Sequence, residues 1–209
     1  MNRRGWLLVV AAAAALALVS LASNVTTTSQ LEGKADTLLA VRFTASRLVN
    51  AGAVWAGLAV LAGWLVRRPV PAFAAGIVAL LTACAVHYGT GLLVGMFDAA
   101  VWSDNRIWLL AAAVVGGPLG LVGAVARRPG RWGLAARLIV PAGAVLEPFV
   151  IGQFTAPAIL PWPTRVSGFV SGAMLLTLGL LGCLRVLVVL VVRKRQPSGA
   201  ELRRSSTVS

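Results

Sequence analysis

The sequence predicts an all-α, polytopic membrane protein, a bundle of six transmembrane helices. Three observations lead there. Of the 209 residues, 58% are hydrophobic, against roughly 45–50% in soluble domains, and the mean hydropathy is +0.86. Several runs of about 18 residues or more carry almost no charge, the length needed to cross about 30 Å of hydrocarbon. The basic residues sit in short clusters between those runs, as "RR", "RRP", "RRPGR" and "RKR".

The first apolar segment, about 5–23, follows Arg3 and Arg4. The second, about 48–66, stops at Arg67-Arg68-Pro69, because the residue before a proline leaves helical geometry. The third runs over about 71–97 and the fourth over about 107–126, ending at Arg127-Arg128-Pro129. The fifth covers about 134–152. The sixth, about 166–192, stops at Arg193-Lys194-Arg195. Together they form one transmembrane domain over 1–195. The polar stretch 196–209 has no apolar period, so a disordered cytoplasmic tail is expected there; its "RRSS" resembles a basophilic kinase site.

The charge pattern orients the bundle. With the basic turns placed inside, that side holds Arg3, Arg4, Arg67, Arg68, Arg127, Arg128, Arg131, Arg137, Arg193, Lys194, Arg195, Arg203 and Arg204. Outside fall Lys34, Arg42, Arg47, Arg106 and Arg165, with Arg185 inside the sixth helix. Thirteen against five is the positive-inside bias and puts both termini in the cytoplasm of a bacterial cell membrane. Trp6, Trp64 and Trp132 fall near the inner interface and Trp102, Trp108 and Trp162 near the outer one, while Trp55 lies within the second helix. The net charge of +13 is accounted for by these turns, so the expected surroundings are a lipid bilayer and not nucleic acid.

Two segments stay open. Residues 1–23 read as an uncleaved first helix or as a signal peptide with Ser20 and Ala22 at a cleavage site. Residues 24–47 form the longest outer loop. Within it 36–49 mixes Leu38, Leu39, Val41, Phe43 and Leu48 with Arg42 and Arg47, either an interfacial helix or an extension of the second span.

Aligning the two "RRP" turns places Gly57 on Gly117 and Gly63 on Gly123. It also places His87, the only histidine, and Glu147 at the same 19-residue offset. This suggests a parallel repeat of two helical hairpins related by an axis along the membrane normal.

Ionisable groups inside a span cost about 2.5–3.5 kcal/mol at the centre on insertion scales, so His87 and Glu147 are the first candidates for a ligand-binding or proton-titratable site. Their offsets put both in the outer half of the bilayer. The expectation is a pair facing the bundle interior, close enough to interact; a static helix–helix hydrogen bond is the plainer reading. In the fourth helix "VVGGPLGLVG" joins Gly116 and Gly117 to Pro118. Proline removes a backbone donor and clashes with the preceding turn, so a kink or break is expected, such as lines transporter sites. The alternative is close packing through Gly116-xxx-Gly120, a pattern shared by Gly91-xxx-Gly95 and Gly168-xxx-Gly172. A polar mid-depth cavity lined by Trp55, Gly116 and Gly117 would indicate a transporter, and a dry packed bundle an accessory role. Arg185 is expected to snorkel to the inner interface.

No catalytic motif is present: no Walker A, GxGxxG or HExxH, and no Cys/His spacing suited to a metal. Cys84 and Cys183 read as small packing residues. No enzyme activity, cofactor or metal is expected.

The stretches "LVNAGAVWAGLAVLAGWLVRRP", "HYGTGLLVGM", "WLLAAAVVGGPLGLVGAVARRPGRW" and "AGAVLEPF" resemble a family of small multi-pass actinobacterial membrane proteins classed as a domain of unknown function, over roughly residues 46–152. The resemblance implies an integral membrane protein and supplies no catalytic residues. Independently of that resemblance, the function expected is permease-like or solute- and ion-handling. The alternative is a structural or accessory protein that binds lipid, another membrane protein or further copies of itself.

Overall fold

In a computed structural model, which describes residues 3–195, the chain is helical throughout, with no strand among the described residues. The elements are α1 (Arg3–Ser23), α2 (Thr28–Leu31), α3 (Asp36–Val49), α4 (Gly52–Val66), α5 (Pro69–Leu93), α6 (Val101–Asp104), α7 (Arg106–Val125), α8 (Gly130–Val150) and α9 (Trp162–Arg195). Six helical stretches are long and apolar enough to cross a membrane: α1, α3 with α4, α5, α7, α8 and α9. Their alternation along the chain gathers the arginine-rich turns at one end of the bundle. Residues 196–209, expected as a tail, lie outside the described residues.

The centre is built from small side chains on single helix faces. Val9, Ala13, Ala17 and Leu21 form the buried stripe of α1, and Ala72, Ala75, Ala79, Ala83 and Cys84 that of α5. Helices in lipid gain little from burying apolar surface and associate by close van der Waals contact, which such stripes allow. Glycine carries this furthest along α7. A Cβ on Gly116 would come within 2.9 Å of the Gly76 carbonyl oxygen, and one on Gly120 or Gly123 would strike the backbone of α5 or α4. Thus α7 lies against both α4 and α5, with α1 on the far side of that pair. On the other flank α9 packs against α8 and α3.

Two expectations need correction. The second span does not begin near residue 48: of the two readings of 36–49, the extension of that span holds, and α3 with α4 forms one stretch, Asp36–Val66, long and apolar enough to cross a membrane. That span is broken at Asn50 and Ala51, where Ala51 adopts an extended conformation (φ −61°, ψ 138°). The fourth span, where the break was expected, is continuous, with Pro118 inside it. Pro118 is exposed, while Gly116 and Gly117 are buried on the opposite face. Neighbouring helices clamp that glycine face, and the proline loses its one hydrogen bond without ending the helix.

The hairpin alignment is reflected in contacts only in part. Gly63 and Gly123 both lie in the α4–α7 interface, while Gly57 faces Val140 of α8 and Gly117 faces Phe73 of α5. The extent differs: α5 packs broadly along α7, and α8 touches α4 over a shorter length.

Candidate functional site at the end opposite the basic turns

His87 continues the buried stripe of α5 by one more turn from Ala83 and Cys84, and this register turns it inward, with 8% of its surface exposed. Its Nδ1 lies 3.4 Å from the Ala17 carbonyl oxygen and 3.2 Å from Ser20 Oγ. A carbonyl can only accept, so this contact calls for the proton on Nδ1; in the neutral ring that tautomer leaves Nε2 as the acceptor. Ser20 Oγ donates in turn to Asn50 Oδ1 at 2.5 Å, and Asn50 Nδ2 donates to the Ser46 carbonyl at 2.9 Å. Ser46 Oγ donates to Asn24 Oδ1 at 2.8 Å. A polar chain therefore runs from α5 through α1 to the break in the second span.

Glu147 answers the question its presence raises. From α8 its Oε1 accepts from the Gly52 amide at 2.7 Å and its Oε2 from the Ala53 amide at 2.8 Å. These are the first amides of α4, which has no side-chain cap of its own. The carboxylate satisfies donors the break leaves free and sits at the positive end of the helix dipole. Other charged side chains serve helix ends with the matching sign. Arg42 donates to the Ser23 carbonyl at the end of α1 (3.1 Å). Arg137 donates to the Ala126 carbonyl at the end of α7 (2.7 Å). Arg127 donates to the Trp64 carbonyl near the end of α4 (3.4 Å).

His87 and Glu147 do not pair. Each has its own partners, no hydrogen bond among the described residues joins them, and α5 and α8 lie on different flanks of α4. An axis relating the two hairpins would run through the α4–α7 interface, placing equivalent residues on opposite sides of it. The shared offset thus gives similar depth without contact. What connects them is indirect: Ser20 and Asn50 lead from His87 to the turn that precedes Gly52.

The other candidates belong to packing. Trp55 is half-buried against the central cluster. Gly116 and Gly117 are filled against α5, with no room for a cavity beside them, and Pro118 faces outward.

A cavity of about 460 Å³ opens instead beside His87, lined by His87, Tyr88, Phe97, Asp98, Asp104 and Asn105, with Met96 and Val101. It forms where the α5–α6 connection folds over the end of α5. The ring centroids of His87 and Tyr88 are 5.2 Å apart, and those of His87 and Phe97 5.8 Å. Sequence reasoning missed Ser20, Asn50, Tyr88, Asp98, Asp104 and Asn105. Asn50 within "LVNAGAVW", a polar residue before Ala-Gly in an apolar run, was the available signal for a helix end. The pair Asp98 and Asp104 around Trp102 was the signal for a polar rim.

Fold and site together define a six-span, all-helical membrane protein with a polar vestibule at one end and a capped break in its second span. No family model, no curated protein and no solved structure matches the chain.

Proposed function

We propose that this is a solute- or ion-handling protein of the bacterial cytoplasmic membrane. Its vestibule faces outward, and its basic turns and both termini face the cytoplasm. The observation that carries the reading is the hydrogen-bonded chain His87–Ser20–Asn50, which links the vestibule floor to the broken second span. A helix interrupted inside the membrane is a natural place for motion, because its ladder of backbone hydrogen bonds stops there and a cap and side-chain bonds take its place. The positive-inside bias supports the orientation. The sequence stretches quoted above support kinship with the small actinobacterial family.

The test is a screen of small cations, anions and neutral solutes for thermal stabilisation of the purified protein, wild type beside His87→Gln. At least one class is expected to stabilise the wild type and to lose its effect in the variant. A screen in which no class acts through His87 would overturn this reading. The second reading, an accessory protein that binds lipid, another membrane protein or its own copies, is favoured by one observation: the interior around Gly116 and Gly117 is closely packed against α5. Under it, the protein would co-purify with a stoichiometric partner or self-associate, and no solute would act.

A further inference from the structure

We propose that the vestibule binds a small organic cation carrying N–H donors, of the primary ammonium or guanidinium class; this rests on the reading of the vestibule as a solute site. The polar part of the lining is rich in hydrogen-bond acceptors, beside the apolar Met96, Phe97 and Val101. His87 is over nine-tenths buried. Its Nδ1 edge is turned to α1 by Ala17 and Ser20, which leaves Nε2, with no hydrogen-bond partner among the described residues, as an acceptor on the cavity side. Asn105 places one N–H of Nδ2 on the Val101 carbonyl at 2.9 Å, which fixes the amide with its Oδ1 free to accept and one N–H free to donate. Asp98 and Asp104 bring two carboxylates to the rim, and among the described residues neither is in an ion pair, Arg106 included. Asp98 uses one oxygen on the Ala100 amide at 2.9 Å, and its other remains available.

Aromatic faces complete the lining. Of the aromatic rings only Tyr88 and Phe97 line the cavity beside His87; they pack edge to face with centroids 6.4 Å apart, and a cation lying over whichever ring face stays open would be attracted by its quadrupole. The volume of about 460 Å³ falls in the roughly 300–1,000 Å³ range of small-molecule sites. A bare metal ion is a poorer fit, since no group of three or more His, Cys, Asp or Glu among the described residues is placed to hold one. An anion would meet two carboxylates. The N–H requirement follows from His87: an acceptor nitrogen at the floor has nothing to offer a quaternary ammonium.

The experiment is calorimetric titration of the full chain, in nanodiscs without phosphatidylethanolamine, with butylammonium, guanidinium, tetramethylammonium and acetate. Butylammonium or guanidinium is expected to bind at least about tenfold tighter than tetramethylammonium, and acetate not at all. Asp98→Asn with Asp104→Asn should weaken binding by up to about 25-fold, each exposed charge contributing up to roughly 1 kcal/mol, or about fivefold. Asparagine retains the oxygen that accepts from Ala100, so the loop is preserved. Glu32→Gln, at the same end but ion-paired with Lys34, should change nothing. The ammonium of phosphatidylethanolamine offers the same chemistry from the lipid, so a further arm adds that lipid. Displacement of butylammonium assigns the headgroup as source, no displacement assigns a free solute, and both keep the ammonium chemistry. No saturable heat from either N–H cation by roughly 10 mM, equal affinity for tetramethylammonium, or full affinity in the double variant would each overturn the proposal. If an anion or neutral solute acts through His87 instead, the cation inference fails while solute binding stands.

Discussion

Replacing Glu147 tests why a carboxylate stands inside this bundle. The 15 residues of α4 at 1.5 Å rise put its first amides about 22 Å from the basic turn, within a hydrocarbon layer of about 30 Å. Gly52 is exposed on the bundle surface, and at that depth no water replaces a lost partner. Glu147→Ala removes two charge-assisted hydrogen bonds, each worth about 1.5–3 kcal/mol. It also removes a favourable charge at a helix N-terminus, worth up to about 2 kcal/mol when partly buried. Against this stands the carboxylate's own insertion cost, about 2.5–3.5 kcal/mol at mid-membrane and less toward the edge. The balance is a loss of about 2–4 kcal/mol. Glu147→Gln keeps one accepting oxygen and should lose about half as much, while the lipid-facing neighbour Leu146→Ala should stay within about 1 kcal/mol. Unfolding in mixed detergent–dodecyl sulfate micelles, followed by tryptophan fluorescence, measures all three. Glu147→Ala within about 0.5 kcal/mol of wild type would refute the capping argument.

The glycine interface gives a paired test: Gly120→Ala would drive a methyl into the Ala72 carbonyl of α5 and should cost about 1–3 kcal/mol or more. In contrast Gly143→Ala, with nothing near its Cβ, should be neutral or stabilising by up to about 1 kcal/mol. Reporter fusions after Arg68, Arg128 and Arg195 should all report cytoplasm; an external signal from any one would contradict the six-span orientation. Asn50→Ala cuts the Ser20 and Ser46 bonds and should speed amide exchange around the break, leaving Gly116–Gly123 protected; unchanged exchange would show that the side-chain chain does not hold the break.

Six spans were legible because the turns punctuate them: arginine pairs followed by proline end two helices and begin the next. The span from Asp36 was harder, since Arg42 and Arg47 made its first half look like a loop. In the fold Arg42 is spent on the end of α1. The break was sought at Gly116–Pro118, where local chemistry is weakest, yet packing on α4 and α5 holds that helix together. It lies at Asn50–Ala51, where the local signal is slight and the stabilising partner, Glu147, is 95 residues beyond Gly52 in sequence. Glu147 could be singled out from its cost alone, but its partners are backbone amides, which no residue pattern announces. The vestibule was equally hidden, because Tyr88, Asp98 and Asn105 meet only when the connection after α5 folds back over His87.

The most direct test of the account is the side of the membrane on which the vestibule opens. In a variant with Cys84 and Cys183 replaced by alanine, single cysteines at Asp98 and Arg128 are exposed to a membrane-impermeant maleimide in spheroplasts and again after permeabilisation. The account requires Asp98→Cys to label in intact spheroplasts and Arg128→Cys only once the membrane is opened. Labelling of Arg128→Cys from outside, or protection of Asp98→Cys until permeabilisation, would contradict it.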